Sequence, residues 1–561
     1  MARIWKCTGI VLVLVTILIG CTYVTLLYAE PNEKRNIQQP HIIVIVADDL
    51  GWNDVSFHGA DQVPTPNIDA LAYNGVILQR HYVLPTCTPS RTAFLTGRYP
   101  ITTGMQGYPL KAGEKRAIPL ENTLLPEYLQ ELGYATHLVG KWHVGYYSDN
   151  RSPTRRGFDT FFGYYNGYVQ YFNHTIDQDG HRGYDLHYDN QGKLSVEYNY
   201  EYLTDVITEK AENVIKTHDN SKPLYLHIAH LAAHSSDAED TMEVRDAKEV
   251  NETLGYIEDV NRRKLAGVVT SLDESVGRVV TALKQSDMLK NSIIVFMSDN
   301  GAQTEGILEN FGSNYPLRGL KFTFFEGGVR GVACVYSPLI KNLSRISKQL
   351  FHVTDWLPTF YSAAGADLKN LQNLDGEDQW SILKFGKKTK RQLLLVNIDE
   401  VDGTSGAIIG RHKLIKGAKL EYGGYYGDTG MNEAYPTYNI SQILDSPAGS
   451  AIASLSKYPL KSTKVNKLRK DAKVVCNKHT EFPDCLDKCL FDIYKDPCET
   501  TDLSAKYPNI VEELENFIEG YRTVLVNQTN QNVDPAGLPE NFNGTWMPWI
   551  RDDSSVIEHF Y

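Results

Sequence analysis

The sequence predicts an α/β protein whose core is a sheet of buried, mostly parallel strands, followed by a smaller α+β domain. Three observations predict it. The β-branched runs at 41–47 (HIIVIVA) and 292–297 (SIIVFM) are apolar without alternation, as strands covered on both faces are. A helix-then-strand unit occupies 122–139 between them. From residue 391 the texture changes to short strand runs among Gly- and Tyr-rich loops such as 422–427 (YGGYYG). A chain of 561 residues exceeds one small core, so two domains are expected, 40–388 and 389–561.

Composition is that of an ordinary globular protein, 22% charged and 42% hydrophobic. The net charge of −12 and the lack of a basic stripe argue against a nucleic-acid partner. An anionic substrate remains compatible, because salt screens distant charge beyond roughly 10 Å and local cations dominate a pocket. The basic flank Met1-Ala2-Arg3-Ile4-Trp5-Lys6 and the uncharged run 7–29 read as a signal peptide, 1–29, with 30–39 a polar linker. The run is also long enough to span a bilayer, so an uncleaved anchor is the alternative. Leu18-Ile19-Gly20-Cys21 has the look of a bacterial lipoprotein cleavage site. Seven Asn-x-Ser/Thr triplets (Asn150, Asn173, Asn251, Asn342, Asn439, Asn527, Asn543) fit a glycosylated eukaryotic protein better, and Asn150, followed by Arg-Ser-Pro, is the poor site. The expected location is the secretory pathway, lysosomal or extracellular.

Of eight cysteines, Cys7 and Cys21 lie in the leader, and Cys334, in an apolar run, is expected as a buried thiol. Cys476, Cys485, Cys489 and Cys498 lack a close Cys-x-x-Cys pair. Two disulfides are expected over a zinc site, with three pairings open.

Along the chain, strand 41–47 ends in Asp48-Asp49, where open α/β sheets place ligands. A solvated turn is the plain alternative. In Cys87-Thr88-Pro89-Ser90-Arg91, proline suits a first helical turn, residues 92–96 carry the helix on, and Gly97 ends it. Cys87 then lies just ahead of a helix N-terminus that favours an anion, and Arg91 adds a fork of donors. The alternative is a capping turn with a structural thiol. Asn122 or Thr123 is expected to cap the next helix and Gly133 to stop it. The strand 134–139 then delivers Lys141 and His143 to its carboxyl end.

In the run 224–229, His227 is expected in the core, His230 is ambiguous, and His234 reaches a pocket. The stripe of Leu and Val at helical spacing from 258 to 290 reads as core. Strand 292–297 ends Ser298-Asp299-Asn300, a second acidic tip. Asp48, Asp49, Asp299 and Asn300 together offer only hard oxygens, which suits Ca²⁺. In 318–331 the dense glycines mark a special backbone, with Lys321 and Arg330 available to an anion. A helix is expected at 351–364, a turn at 375–376, strands at 393–398, 412–415 and 490–494, and a final helix at 508–525.

The Cys-x-Pro-x-Arg core with the following Leu95-Thr96-Gly97-Arg98 resembles the maturation motif of type I sulfatases. The order Asp-Asp, Cys-x-Pro-x-Arg, Lys-x-His, His, Asp-Asn and Lys before an aromatic-Glu-Gly-Gly run is similar to that family's catalytic layout. The likeness spans roughly 40 to 385 and continues into Leu490-Phe491-Asp492-Ile493-Tyr494-Lys495-Asp496-Pro497. Leu317-Arg318-Gly319-Leu320-Lys321 and Glu326-Gly327-Gly328-Val329-Arg330-Gly331 resemble the arylsulfatase B group, N-acetylgalactosamine 4-sulfatases. The cysteine cluster departs from the vertebrate pattern.

The resemblance implies an alkaline-phosphatase-like α/β sandwich, its large sheet mostly parallel or mixed. It implies that formylglycine-generating enzyme oxidises Cys87 to formylglycine. One Ca²⁺ is then held by Asp48, Asp49, Asp299, Asn300 and the modified Cys87, with Arg91, Lys141, His143, His234 and Lys321 completing the pocket. The implied substrate is a sulfated carbohydrate or a small sulfate ester: a dermatan or chondroitin chain, an aryl sulfate, or a glucosinolate. The rival readings are a phosphatase or phosphodiesterase of the same superfamily, which needs two zinc sites and a Ser or Thr nucleophile, and a non-catalytic secreted relative.

Overall fold

The computed structural model describes residues 39–188, 193–194, 198, 200–418, 426–432, 435–476 and 482–551. The expected signal segment and nearly all of the linker lie outside these residues, as does most of the loop 422–427. In chain order the main elements are β1 (His41–Ala47), α1 (Pro66–Asn74), β2 (Val76–Leu78), α2 (Cys87–Thr96), α3 (Leu125–Glu131), β3 (Ala135–Lys141), β4 (Thr160–Tyr164), β5 (His187–Tyr188), β6 (Lys193–Leu194), α4 (Leu203–Thr217), β7 (Leu224–Ala229), α5 (Val260–Gln285), β8 (Ser292–Ser298), β9 (Ala333–Tyr336), β10 (Arg345–Ser347) and α6 (Trp356–Ala363). A second group comprises β11 (Leu393–Asp399), β12 (Thr404–Ile409), β13 (His412–Lys416), β14 (Lys488–Asp492) and α7 (Pro508–Arg522).

The main sheet has the order β10-β2-β9-β8-β1-β7-β3-β4-β5-β6. Its centre, β8-β1-β7-β3-β4, is parallel throughout. The flanks are mixed, with β9 antiparallel to β8 and β5 antiparallel to β4. Five parallel strands therefore deliver their carboxyl ends to one edge. β1 explains why its sequence does not alternate. Ile43 and Ile45 pack with α1, α4 and α5, while Ile42, Val44 and Val46 pack with α2 and α6 on the other face. Each such side chain, fully buried, stabilises by about 1.5–3 kcal/mol relative to exposure. The stripe on α5, from Leu265 to Leu283, is core as expected.

β11, β12, β13 and β14 form an antiparallel sheet in that order, covered by α7. Lys413 of this sheet is fully buried and bonds both Glu326 (2.9 Å) and Glu499 (3.0 Å). The four clustered cysteines pair as Cys476–Cys498 and Cys485–Cys489, and Cys334 is a buried free thiol. Among the described residues no helix is long and apolar enough to cross a membrane.

Several local expectations are corrected. α3 is capped at Leu124, because the Glu127 carboxylate reaches back to the Leu124 N–H (2.5 Å), while Asn122 is engaged by Arg98. Residues 351–352 are a short strand paired with His81–Tyr82, and α6 starts only at Trp356. The Asp355 carboxylate takes the His352 N–H and holds the intervening turn. β12 was not expected, since Gly406 breaks its apolar pattern. β14 begins and ends two residues earlier than expected.

β3 runs two residues past its expected end. Gly140 permits this with φ +108°, and a Cβ there would lie 1.9 Å from the Ala229 carbonyl oxygen of β7. Left-handed strain and overpacking act together at this point. Gly140→Ala is expected to lower stability by about 2–4 kcal/mol, read from the denaturant midpoint.

Candidate active site

Register alone assembles the acidic half of the site. Ala47 pairs with Ser298, so the tips that follow β1 and β8 emerge side by side. The Asp49 N–H donates to Asp299 Oδ1 (3.2 Å), and the Leu50 N–H to Ser298 Oγ (3.0 Å). Asp49 has φ +57°, a strained region for a non-glycine residue that recurs at functional sites. Carboxylate oxygens of Asp48, Asp49 and Asp299 lie within 4.8 Å of one another, and all three residues are buried. Asn300 joins them, its Nδ2 donating to Asp49 Oδ1 (2.6 Å). Asp48 Oδ1 and Asn300 Oδ1 are buried without a hydrogen-bond partner. Two orphaned oxygens beside three carboxylates, with no nitrogen or sulfur among them, fit a hard divalent cation such as Ca²⁺.

The cations answer from three other elements. Lys141, the last residue of β3, bonds Asp48 Oδ2 (2.6 Å). Arg91, one turn into α2, donates from Nε (3.1 Å) and Nη2 (2.8 Å) to Asp299 Oδ2. Lys321 bonds Asp49 Oδ2 (2.8 Å) and lies 3.3 Å from His234 Nε2. Burial pushes all three carboxyls upward. Lys141, His234 and Arg91 outweigh it at Asp48, and Lys321 and His234 at Asp49, so both stay below the usual range. Asp299 stays above it, raised by burial and by Asp48.

Cys87 opens α2 as its first residue, a little further in than the place just ahead of the helix that the sequence implies; Thr86 is the N-cap and Gly97 (φ +65°) closes the helix. It is a free, buried thiol. Burial raises its pKa, while Lys141 and Lys321 pull it down and Asp48 and Asp299 push it up, so it lies within the electrostatic reach of both halves of the site. His143, also at positive φ (+53°), bonds the Leu110 carbonyl through Nε2 (2.9 Å) and has no partner on Nδ1. Burial and Lys141 hold it neutral, well below the ordinary histidine range. His234 is held by the Ser235 carbonyl at Nδ1 (2.5 Å), and burial and Lys321 lower its pKa.

Asp48, Asp49, Cys87, Arg91, Lys141, His143, His234, Asp299, Asn300 and Lys321 therefore lie together. Arg330, offered as a second anion ligand, does not: it bonds the Gln79 carbonyl (2.7 Å) and Glu326 (3.2 Å). His227 and His230 are core, against the Tyr225 hydroxyl and Ser275. Three contributors were missed. Tyr168 stacks on His234 (5.4 Å, 12°), the Tyr171 hydroxyl donates to the His234 carbonyl (2.8 Å), and Asn310 bridges the Asp49 and Ala233 carbonyls (2.9 and 3.1 Å). No local pattern marks Asn310, whereas two tyrosines upstream of a histidine pocket carry at least a compositional signal.

Three cations gathered on one buried carboxylate cluster, with His234 against Lys321 and His143 nearby, fit an enzyme that splits an anionic ester. The comparisons agree. Residues 40–366 match the sulfatase family, and the chain belongs to it. It is 36% identical to mouse arylsulfatase J, covering 92% of this chain and 81% of that one. It is 26% identical to human N-acetylgalactosamine-6-sulfatase, over 87% of each. The crystal structure of Ps i-CgsB superposes with a TM-score of 0.68 at 25% identity, covering 90% of this chain and 97% of that one. The protein is a sulfuric ester hydrolase.

Removing Lys141 takes away the closest cation of buried Asp48 and leaves it only the longer contact to Arg91 Nη2 (3.6 Å). Lys141→Ala is expected to cost about 3–5 kcal/mol of stability by denaturation. It is also expected to lower kcat about 10²–10³-fold on an aryl sulfate.

Proposed function

We propose that the enzyme works through formylglycine at residue 87 and one Ca²⁺ held by Asp48, Asp49, Asp299, Asn300 and the modified Cys87. The observation that carries this is a free thiol at the start of a helix whose next turn, through Arg91, is tied to the carboxylate cluster. Bound there, the cation supplies charge to orient and polarise a sulfate oxygen. Hydrated formylglycine supplies one hydroxyl to attack sulfur and a second whose deprotonation lets sulfate leave.

The chain's own side chains do the rest. Arg91, Lys141 and Lys321 neutralise the ester's charge as it spreads over the oxygens. His234 and Lys321 together deliver a proton to the leaving alcohol: Nδ1 donates to the Ser235 carbonyl, so the proton comes from the Lys321 ammonium that Nε2 faces. His143 has Nδ1 free while Nε2 is fixed by the Leu110 carbonyl, and it takes the proton from the remaining hydroxyl at residue 87.

The substrate is a sulfated carbohydrate or a small sulfate ester, a reading supported by relatives called N-acetylgalactosamine-6-sulfatase. Formylglycine-generating enzyme is the maturation partner. Residues 40–388 are taken as the catalytic domain and 389–561 as the C-terminal one. Six of the seven sequon asparagines are exposed, and the seventh, Asn150, is half-buried and takes the Ser148 hydroxyl (2.7 Å). That pattern supports a glycosylated protein of the secretory pathway, lysosomal or extracellular.

The peptide containing residue 87 is expected to carry an aldehyde in place of the thiol by mass spectrometry, and an unmodified cysteine in active enzyme refutes the assignment. Cys87→Ser, with one hydroxyl only, is expected to bind sulfate esters but to lose steady-state turnover. Chelation is expected to abolish activity and lower the melting midpoint, with Ca²⁺ restoring both. A saturating cation at 100 times its Kd stabilises by about 2.7 kcal/mol.

A further inference from the structure

Two partly exposed aromatic rings, Tyr108 and Phe322, lie on segments tied to the backbone around Cys87 and have no role in the chemistry above. Tyr108 is 51% exposed and Phe322 is 40% exposed, whereas Cys87 is 2% exposed. Single exposed aromatics are ordinary on a protein surface. These two differ in how they are held. Phe322 follows Lys321 directly, and its N–H donates to the Pro85 carbonyl (2.8 Å). The segment carrying Tyr108 is pinned on both sides of Cys87: the Thr86 hydroxyl donates to the Gly107 carbonyl (3.1 Å), and the Leu110 N–H donates to the Thr88 hydroxyl (3.1 Å). Leu110 in turn orients His143. Phe322 has φ +72°, a region that bulky residues avoid and that persists where the surroundings impose it. The ring centroids are 5.9 Å apart at a tilt of 44°, an open V rather than a closed stack. The Lys321 ammonium lies 5.7 Å from the Phe322 ring.

We propose that Tyr108 and Phe322 form a stacking platform for the ring that bears the sulfate, and so select ring-borne esters, with an aryl face or the C–H face of a pyranoside against the V. The sulfate goes down to Cys87 and the cations, and the leaving-group ring stays at the level of the two side chains. The platform acts by contact area and ring-face electrostatics, so it favours flat or weakly polar ring faces over flexible alkyl sulfates. This rests on the sulfatase reading and names the part of the substrate that sulfate binding by the cations leaves open.

The test measures kcat and KM for 4-nitrophenyl sulfate and for a sulfated hexosamine, with inorganic sulfate as an inhibitor that probes the anion pocket alone. The variants are Tyr108→Ala, Phe322→Ala, Phe322→Gly, which suits the positive φ, and Tyr108→Phe. Each ring deletion is expected to raise KM about 3- to 10-fold for at least one of the two esters, with kcat within about twofold and the Ki for sulfate unchanged. Tyr108→Phe is expected to keep the parent KM. A rise confined to the aryl ester assigns the platform to aromatic rings, and a rise confined to the sugar assigns it to pyranosides. An unchanged KM for both, or an equal rise in the sulfate Ki, overturns the platform. The parent protein's own turnover carries the enzymatic assignment, so that result leaves the assignment standing.

Discussion

Like charges within 4.8 Å dominate this molecule: Asp48, Asp49 and Asp299 share one buried point. Left alone in a low-dielectric interior, such carboxylates repel and take up protons. Lys141, Arg91 and Lys321 oppose that, each on a separate element and each aimed at a different carboxylate. The sheet exists in this form because those partners must arrive together. Parallel strands bring Asp48, Asp299, Lys141 and the His234 loop to a single edge, and α2 adds Arg91 and Cys87 from across it. Neither set is stable where it is without the other, so the fold and the pocket are one electrostatic problem.

Balance at the site is incomplete by design of the donor set. Asp48 Oδ1 and Asn300 Oδ1 are buried without a hydrogen-bond partner beside the three carboxylates, an arrangement that a bound cation would satisfy. The positive φ values at Asp49 and His143 belong to the same picture, since both residues turn sharply off a strand end to face inward. Local strain at functional positions is offset by the rigidity of the sheet behind them.

Much of this was legible in the chain. Buried strands announce themselves because both faces are covered, so 41–47 and 292–298 could be read without a partner in sight, and their acidic tips followed. Lys141, His143, His234 and Lys321 were readable by position at strand ends or beside glycine turns. Contacts set by tertiary geometry were not. Asn310 reaches Asp49 and Ala233 from a loop with no periodicity, and the Leu124 cap depends on a glutamate reaching backward. Arg330 shows the converse error: its sequence setting matches that of Lys321, yet Glu326 and the Gln79 carbonyl claim it. Strand 404–409 was hidden by a glycine that the sheet tolerates.

The buried link from Lys413 to Glu326 and Glu499 ties the second sheet to the backbone that carries Lys321, five residues before Glu326. Replacing that lysine strands two acids in the interior beside a segment the pocket relies on. A lysine far from the sulfur chemistry is thereby part of the frame that supports it.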